Sequence, residues 1–375
     1  MRFICYALYL LSACGIGYLV VALFCAVRFS RRSVAAVRVL PGITILKPIH
    51  GLEVELYENL CSFCEQDYPE FQIIFGVQHG DDPALEVIRR VIERYPHLDL
   101  SLVVRNSAFS GNPKIANVAN MIGLAKHQLL TIVDSDMRVD SGYLRALAGE
   151  FDDPSVGAVT CLYEAVPRGG FASQLGAMGI NDQFVPSVLV AALQPLRFCF
   201  GSTMAVRKDV LAEIGGVAAL APHLADDYML GALVSCHGYR VALSRYVVRN
   251  IVCEPGAAAL WHHELRWART IRLQRPLGYT FSVVTYPLTI ATLTYFSGSV
   301  AISTALVVAA LCLRFAIHYR MRRFFTEAPA RPWLLPVRDI FGLLIWACSY
   351  FGRNVRWREE ALTIDDAGRV ERSVR

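Results

Sequence analysis

The chain has little charge for its length, and its basic residues are almost all arginine. Of its 375 residues, 18% are charged and 54% are hydrophobic, and the formal net charge is only +5. No basic stretch is interleaved with aromatic side chains as in nucleic-acid-binding proteins, which argues against nucleic acid as a partner. The sequence also contains no internal repeat and no low-complexity tract. The composition is too apolar for an ordinary soluble enzyme.

The cysteines lack the second ligand pair that a structural zinc site needs. Cys61 and Cys64 form a lone C-x-x-C with no further pair of zinc ligands nearby. Several of the eleven cysteines lie in apolar runs, where cysteine behaves as a small hydrophobic residue. The pattern therefore predicts no zinc site, and it agrees with a cytoplasmic location for the polar part of the chain.

The apolar residues are concentrated towards the two ends of the sequence. Residues 3–27 contain no charge and are long enough to cross about 30 Å of hydrocarbon. This run is longer than the apolar core of a signal peptide, and it meets Arg28, Arg31 and Arg32. We interpret it as a retained transmembrane anchor. Because arginines beside a span stay on the cytoplasmic side, the domain that follows is predicted to be cytoplasmic.

The C-terminal third contains three further apolar segments. Residues 278–318 are predicted to form two transmembrane helices that cross out and back. The segment 332–352 carries Arg338 and Asp339, and a full crossing would place the basic tail, 353–375, outside the cell. Since basic tails tend to stay inside, we prefer a re-entrant or interfacial segment to a spanning one.

Between the apolar ends, strand and helix patterns alternate. The predicted strands cover residues 42–51, 73–82, 98–106, 129–136 and 156–166, and helices are predicted over 55–66, over 83–95 and from a cap at Asn112. Such alternation predicts an α/β domain with a mainly parallel, doubly wound sheet, which we place at 41–277. In these sheets, ligands bind beyond the carboxyl ends of the strands.

Two carboxylates, Asp134 and Asp136, follow the fourth predicted strand. In an extended chain, residues i and i+2 point to the same side, so both could face one ligand. Like charges so placed repel each other unless a cation or hydrogen-bond donors offset them. Asp81 and Asp82 fall at the end of another predicted strand. This coincidence favours a ligand site over a solvated turn.

Seven short motifs carry a family resemblance. They are KPIHG, VQHGDDPALE, GNPKIAN, DSDM, GSTMAVRK, ADDYMLG and HELRW. In order and spacing they resemble the ceramide glucosyltransferases, which are family 21 glycosyltransferases with the GT-A fold. They are also similar to the bacterial glycosyltransferases associated with hopanoid lipid biosynthesis. The resemblance covers nearly the whole chain and implies a Rossmann-like nucleotide-sugar domain with N- and C-terminal transmembrane helices.

The resemblance implies roles for four acidic residues. Asp82 matches the acid that contacts the uracil of a UDP-sugar. Asp134 and Asp136 match the D-x-D that holds the diphosphate through Mg²⁺ or Mn²⁺. Asp227 matches the third acid, the candidate general base. The neighbouring acid Asp226 is expected only to cap a helix or to face solvent, as is Asp81.

The last family motif falls at the helix-forming segment HHELRW. Arg266 and Trp267 are expected beside the diphosphate and the acceptor, although Trp267 could instead be a plain amphipathic anchor. His263 stands where the family usually has Gln or Arg, so its role is open. Lys114, in the first turn of the helix that Asn112 caps, is either a surface lysine or a phosphate contact, and we favour the phosphate contact.

These residues suit an inverting sugar transfer. Displacing UDP from an anomeric carbon puts negative charge on a diphosphate, which a hard cation with oxygen ligands offsets. A lipid hydroxyl is a poor nucleophile, so a carboxylate must take its proton during attack. We therefore predict an enzyme that moves one hexose or N-acetylhexosamine from a UDP-sugar to a membrane lipid, with a catalytic domain in the cytoplasm and an anchor in the bacterial inner membrane.

Two alternatives stay open. A processive polysaccharide synthase uses the same acids, but it usually carries Q-x-x-R-W and more spans. A non-catalytic sugar-nucleotide-binding membrane protein would not need all four acids. The sequence does not specify the sugar, the choice among ceramide, a hopanoid polyol and diacylglycerol as acceptor, the number of C-terminal spans, or the oligomeric state.

Overall fold

The computed structural model describes residues 2–32, 37–106, 111–296, 298–325, 327, 331–352, 354–357, 360–364 and 370–372. The helices are α1 (Arg2–Ser30), α2 (Leu56–Cys64), α3 (Ala84–Arg94), α4 (Pro113–Met121), α5 (Tyr143–Glu150), α6 (Phe171–Gly179), α7 (Val185–Ala191), α8 (Lys208–Glu213), α9 (Asp226–Cys236), α10 (Ala257–Gln274), α11 (Pro276–Phe281), α12 (Pro287–Leu293), α13 (Val300–Met321) and α14 (Leu335–Cys348). The strands are β1 (Ile43–Pro48), β2 (Phe71–Val77), β3 (Asp99–Val104), β4 (Leu129–Ile132), β5 (Met137–Arg138), β6 (Val156–Pro167), β7 (Met204–Arg207), β8 (Arg240–Val252), β9 (Asn354–Trp357), β10 (Glu360–Ile364) and β11 (Val370–Arg372).

The chain divides into two compact units. The sheet unit consists of Ser33–Tyr163 and Gln194–Ile251. The helical unit consists of Met1–Arg32, Glu164–Leu193 and Val252–Arg375. Each unit has its own packing and is described separately.

The sheet unit is built on an eight-stranded sheet with the order β3-β2-β1-β4-β7-β6-β8-β5. The four strands from β3 to β4 are parallel, with Ile43 opposite both Phe71 and Leu129. β7 pairs antiparallel with β4, and β6 pairs antiparallel with β7. Every residue of β1 is buried, as expected for a strand covered on both faces. The predicted α/β class is confirmed. The parallel strands are β1 to β4, which come from the part of the sequence where strands and helices alternate.

Local sequence signals explain the helices that flank the parallel strands. α3 buries Ala84, Leu85, Ile88 and Val91, which form one stripe at helical spacing. α4 begins after Asn112, whose side chain accepts hydrogen bonds from the first-turn backbone N–H groups, as the sequence predicts. The carboxyl ends of β1, β2 and β4 and the N-terminus of α4 therefore lie at one edge of the parallel sheet.

The helical unit contains the long apolar helices. Among the described residues, two helices are long and apolar enough to cross a membrane, Phe3–Ser30 with 28 residues and Val300–Met321 with 22. The first agrees with the anchor predicted at 3–27. That either helix lies in a membrane stays a prediction, because length and composition alone support it.

The structure departs from the prediction of two spanning helices within 278–318. Only the second half forms one long helix, α13. The first half is divided into the short helices α11 and α12, with 3₁₀ turns at Ser282–Thr285 and Thr294–Phe296. Pro287 explains the division, because proline lacks an N–H and disfavours helical geometry in the residue before it.

Ion pairs inside the helical unit account for the charges in the third apolar segment. The Arg338 guanidinium donates to both carboxylate oxygens of Glu264 on α10, at 2.5 and 2.7 Å. Asp339 accepts from Arg314 on α13 at 2.6 Å and from the backbone N–H of Thr289 at 2.9 Å. All of these charged groups are largely buried. The 14 residues of α14 extend about 21 Å, less than a hydrocarbon core of about 30 Å.

The predicted basic tail, 353–375, lies partly outside the described residues. Its described parts form three strands in an antiparallel sheet with the order β11-β10-β9. The side of a membrane on which this sheet lies stays a prediction.

Candidate active site

The centre of the candidate site in the sheet unit is Gly201, in the turn before β7. The backbone N–H of Asp134, just after β4, donates to the Gly201 carbonyl at 3.2 Å. The Gly201 N–H donates to the Asp227 carboxylate at 3.1 Å. A Cβ atom at position 201 would lie 2.4 Å from Asp134 Oδ2, so no larger residue fits without a shift. Gly201 therefore brings together two acids that are far apart in the sequence.

Lys114 lies between Asp134 and Asp226, the residue before Asp227. Its ammonium is 2.7 Å from Asp134 Oδ1 and 3.0 Å from Asp226 Oδ2. The contact with Asp226 is an ion pair without hydrogen-bond geometry. Although burial opposes it, the carboxylates of Asp134, Asp226 and Asp227 raise the pKa of Lys114. With 15% of its side chain accessible, Lys114 is a mostly buried, charged residue of this cluster and not a freely exposed surface lysine. Its contact with a phosphate stays a prediction.

The expectation that Asp226 only caps a helix or faces solvent is also wrong. Its side chain is buried and pairs with Lys114. Its other oxygen, Oδ1, accepts a hydrogen bond from Asn112 Nδ2 at 3.0 Å. The adjacent residue Asp227 accepts instead from the backbone N–H groups of Gly201 and Tyr228. The two acids therefore have different partners, since successive residues at a helix start point in different directions.

Burial and the Asp226 charge raise the pKa of Asp227 to about 6, while Lys114 acts in the opposite direction. Raised pKa values of this kind suit a carboxylate that accepts a proton near neutral pH. Within the part of the chain that the structure describes, the Asp227 carboxylate accepts hydrogen bonds from backbone N–H groups and is paired with no cation in direct contact, so it retains acceptor capacity.

The D-x-D does not lie in an extended strand. β4 ends at Ile132, and the Met137 N–H donates to the Asp134 carbonyl at 3.4 Å, which closes a turn. The extended backbone expected at the D-x-D is therefore wrong, whereas the expectation that both carboxylates face one ligand stays a prediction. Asp134 is partly exposed, with 36% of its side chain accessible. Asp136 is half-buried, and its Oδ2 accepts from Asn250 Nδ2 at 2.7 Å.

The residues of the D-x-D fit a divalent cation. Within the described ranges, Asp136 Oδ1 is buried and has no hydrogen-bond partner. Burial and the neighbouring carboxylates of Glu53 and Asp134 raise the pKa of Asp136 to about 8, so the site has excess negative charge when Asp136 is ionised. No group of three or more His, Cys, Asp or Glu side chains in the described part of the chain is arranged to hold a metal by itself. Mg²⁺ sites that use one or two carboxylates complete their shell with phosphate oxygens and water.

Asp82 supports a loop at the same edge of the sheet. Its two oxygens accept from the Gly51 N–H at 3.1 and 2.9 Å, and Oδ1 also accepts from the Ala84 N–H at 2.8 Å. The carboxylate thus fixes the chain after β1 against the start of α3. Its predicted contact with a uracil stays a prediction.

Lys47, at the end of β1, is a site residue that the sequence reasoning missed. Its Nζ donates to the Asp134 carbonyl at 2.7 Å and lies 3.9 Å from the centre of the Phe63 ring. Burial lowers the pKa of Lys47 to about 7, against the charges of Asp136 and Asp134. The signal available in the sequence was a single lysine in the otherwise apolar strand ITILKP.

The remaining predicted residues belong to α10 of the helical unit. His263 Nδ1 lies 2.6 Å from Glu254 Oε1, and the His263 ring contacts Trp267 edge to face at 4.3 Å between centroids. Trp267 is 37% exposed. Arg266 lies on the same helix. The roles of His263, Arg266 and Trp267 towards a diphosphate or an acceptor stay predictions.

Comparison with known families settles the family. A model described as Glycosyl transferase family 21 matches residues 7–370. The chain belongs to glycosyltransferase family 21. This confirms the family that the seven motifs indicated, and the match includes both the sheet unit and most of the helical unit.

Curated relatives of this family 21 chain include ceramide glucosyltransferases. Ceramide glucosyltransferase 3 of Caenorhabditis elegans is 27% identical over 232 residues, which is 61% of this chain and 50% of the relative. Ceramide glucosyltransferase of Komagataella phaffii is 37% identical over 122 residues, which is 31% of this chain and 24% of the relative. The chain therefore spans about half the length of the nematode relative, and a smaller share of the yeast one.

A solved structure confirms the fold class. The mannosyltransferase PcManGT from Pyrobaculum calidifontis, in complex with GDP-Man and Mn²⁺, superposes with a TM-score of 0.57 and is 18% identical. The similarity covers 92% of this chain and 99% of that protein. At this identity the likeness concerns the fold alone, and it agrees with the predicted GT-A architecture.

Proposed function

We propose that the chain transfers one sugar from a UDP-sugar to a hydroxyl group of a membrane lipid, with inversion at the anomeric carbon. The observation that carries this proposal is the convergence of Asp134 and Asp227 on Gly201, beside the Lys114 ammonium. For a metal-bound diphosphate, this cluster offers the Asp134 carboxylate and the Lys114 ammonium. For the acceptor, it offers the Asp227 carboxylate, which can take a proton.

On the donor side, Asp134 and Asp136 would hold Mg²⁺ or Mn²⁺, and Lys114 would contact the diphosphate. The bound cation supplies positive charge that offsets the negative charge of the leaving diphosphate. Asp136 contributes because Asn250 holds one oxygen and leaves the other without a protein partner among the described residues. Asp82 is proposed to bind the uracil, and Arg266 and Trp267 to lie beside the diphosphate and acceptor.

On the acceptor side, Asp227 is the proposed general base. The N–H groups of Gly201 and Tyr228 fix its carboxylate, so its orientation does not depend on the substrate. With its pKa raised to about 6, Asp227 is mostly ionised at neutral pH and still basic enough to take the hydroxyl proton as attack proceeds. Direct displacement from the opposite face inverts the anomeric centre.

A lipid acceptor is supported by the long apolar helices α1 and α13 and by the names of the relatives, ceramide glucosyltransferases. We propose an integral protein of the bacterial inner membrane with the sheet unit in the cytoplasm. The candidate acceptors are ceramide and a hopanoid polyol, and the candidate sugars are glucose, galactose and N-acetylglucosamine.

The test is UDP release by the purified full chain with each donor, each lipid and Mn²⁺, together with mass spectrometry of the lipid product. We expect a product that is heavier than the acceptor by one sugar, and no UDP release in excess chelator or with Asp136→Ala. A ladder of products would indicate a processive synthase instead. Absence of a lipid product with all candidate pairs would refute the proposed acceptor class.

A further inference from the structure

The charge balance around Lys114 carries a further inference about metal binding. Its ammonium lies 2.7 Å from Asp134, one of the two proposed metal ligands, and only 15% of the Lys114 side chain is exposed. A bound divalent cation and this ammonium would therefore both be held by the Asp134 carboxylate. Two cations at one carboxylate repel each other strongly where little water screens them.

Asp226 provides a second place for the same ammonium. Its Oδ2 atom is 3.0 Å from Lys114 Nζ, and Asn112 fixes the carboxylate through Oδ1. Asn112 is itself held in place as the N-cap of α4, the helix that carries Lys114. A small movement of the lysine side chain away from Asp134 would therefore leave it paired with Asp226 and still beside the D-x-D.

We propose that Lys114 is an internal counter-ion of the D-x-D that competes with the divalent cation for Asp134, and that Asp226 is the positioning residue that retains the ammonium when the metal binds. Lys114 is then available to the diphosphate, which binds with the metal. Binding of the metal and of the donor is thus coupled through one lysine. This inference rests on the proposed function, because it assumes a metal at Asp134 and Asp136.

The test measures Mn²⁺ binding to the full chain in detergent, without donor, from the electron paramagnetic resonance signal of free Mn²⁺. Loss of binding in Asp136→Asn checks the proposed metal site itself. If Lys114 competes with the metal, Lys114→Met should lower the Kd for Mn²⁺ by roughly tenfold or more, since a unit charge has been removed within contact distance. If Lys114→Met does not fold, Lys114→Gln removes the same charge and serves in its place. Lys114→Arg keeps the charge, so its Kd for Mn²⁺ should resemble that of the parent.

The matched control is Lys126→Met. This lysine pairs with Asp99 at 2.7 Å on an exposed surface, where the side chain is 61% accessible. Its removal changes the net charge equally and should leave the Kd for Mn²⁺ unchanged. An unchanged or weaker affinity in Lys114→Met and Lys114→Gln, with binding in the parent intact, would overturn the inference while leaving the proposed metal site standing.

A double-mutant cycle tests the role of Asp226. With Lys114 present, Asp226→Asn should weaken Mn²⁺ binding, because the ammonium can then pair only with Asp134. In the Lys114→Met background most of that loss should disappear, which is the non-additivity expected for residues that act through each other. An equal loss in both backgrounds would mean that Asp226 acts on the metal directly, and the positioning role would be wrong.

Discussion

Asp226 and Asp227 are neighbours in the chain with different chemical environments. Asp226 is engaged by Lys114 and Asn112, whereas Asp227 accepts only from backbone N–H groups in the contacts described above. Because Asp227 is proposed to act when the acceptor loses its proton, Asp227→Asn should lower kcat by roughly 100-fold or more. The Kd for the UDP-sugar should change little, since the lost interaction belongs to the transition state. Initial rates and donor titration measure the two effects.

The contrasting variants are Asp226→Asn and Asp82→Asn. With Asp226 buried against Lys114, its replacement should weaken metal and donor binding before it affects kcat at saturation. Asp82→Asn should likewise weaken donor binding first. If Asp226→Asn abolishes turnover at saturating donor and metal while Asp227→Asn is nearly as active as the parent, the base has been assigned to the wrong carboxylate.

The raised pKa of Asp227 gives an expected pH dependence. A base must be ionised to accept a proton, and a pKa raised to about 6 means that the ionised form is lost as the pH falls through that value. We therefore expect kcat/KM of the parent to fall tenfold per pH unit below about pH 6. The residual activity of Asp227→Asn should lack this acidic limb. A parent profile that stays flat down to pH 4.5, with Mn²⁺ kept saturating, would contradict the assignment.

At the scale of elements, the ion pair between α14 and α10 should be a strong contact within the helical unit. Arg338 and Glu264 are both largely buried, at 6% and 11% side-chain exposure. Removing one partner leaves the other charge buried, so Arg338→Met or Glu264→Gln should each destabilise the protein by about 3–5 kcal/mol. The combined variant, Arg338→Met with Glu264→Leu, should recover much of this loss because no unpaired charge remains. Thermal unfolding in detergent measures the differences.

An exposed pair is the control for that experiment. Arg145 and Asp67 lie 3.2 Å apart, with 43% and 74% of their side chains accessible. Arg145→Met should change stability by less than about 1 kcal/mol, because water screens the pair. Equal effects at the buried and exposed pairs would show that α14 and α10 are not held by their charges.

Local signals explain which elements could be predicted from the sequence. The strands β1 to β4 follow apolar runs, and α4 follows a capping Asn and a Pro, so both depend on neighbouring residues only. Pro287 is a local signal of the same kind and indicates a break in the apolar segment, whereas the apolar composition alone predicts an uninterrupted helix. The turn at Asp134 was not predicted, because its backbone hydrogen bond to Gly201 joins distant segments of the chain.

The contacts of the site that could not be predicted join residues that are distant in the sequence. Lys114 and Asp226 were each visible as charged residues, yet their ion pair joins α4 to the start of α9 and no local pattern encodes it. The same holds for Arg338, a charged residue in an apolar segment, because its partner Glu264 lies on the distant helix α10. The motif residues Asp134, Gly201 and Asp227 could be identified without the fold, but the hydrogen bonds that join them could not.

At the scale of the whole molecule, the expected orientation follows from the arginines after the first apolar helix. Arg28, Arg31 and Arg32 should stay in the cytoplasm, and the sheet unit with them. The exposed residue Cys236, in the sheet unit, reports this, whereas Cys161 is buried and would escape a reagent from either side. A variant that retains Cys236 as its single cysteine should not react with an impermeant maleimide in sealed cells, and it should react once the cells are permeabilised. Rapid labelling of Cys236 in sealed cells would place the sheet unit outside, away from cytoplasmic UDP-sugars, and would reverse the proposed orientation.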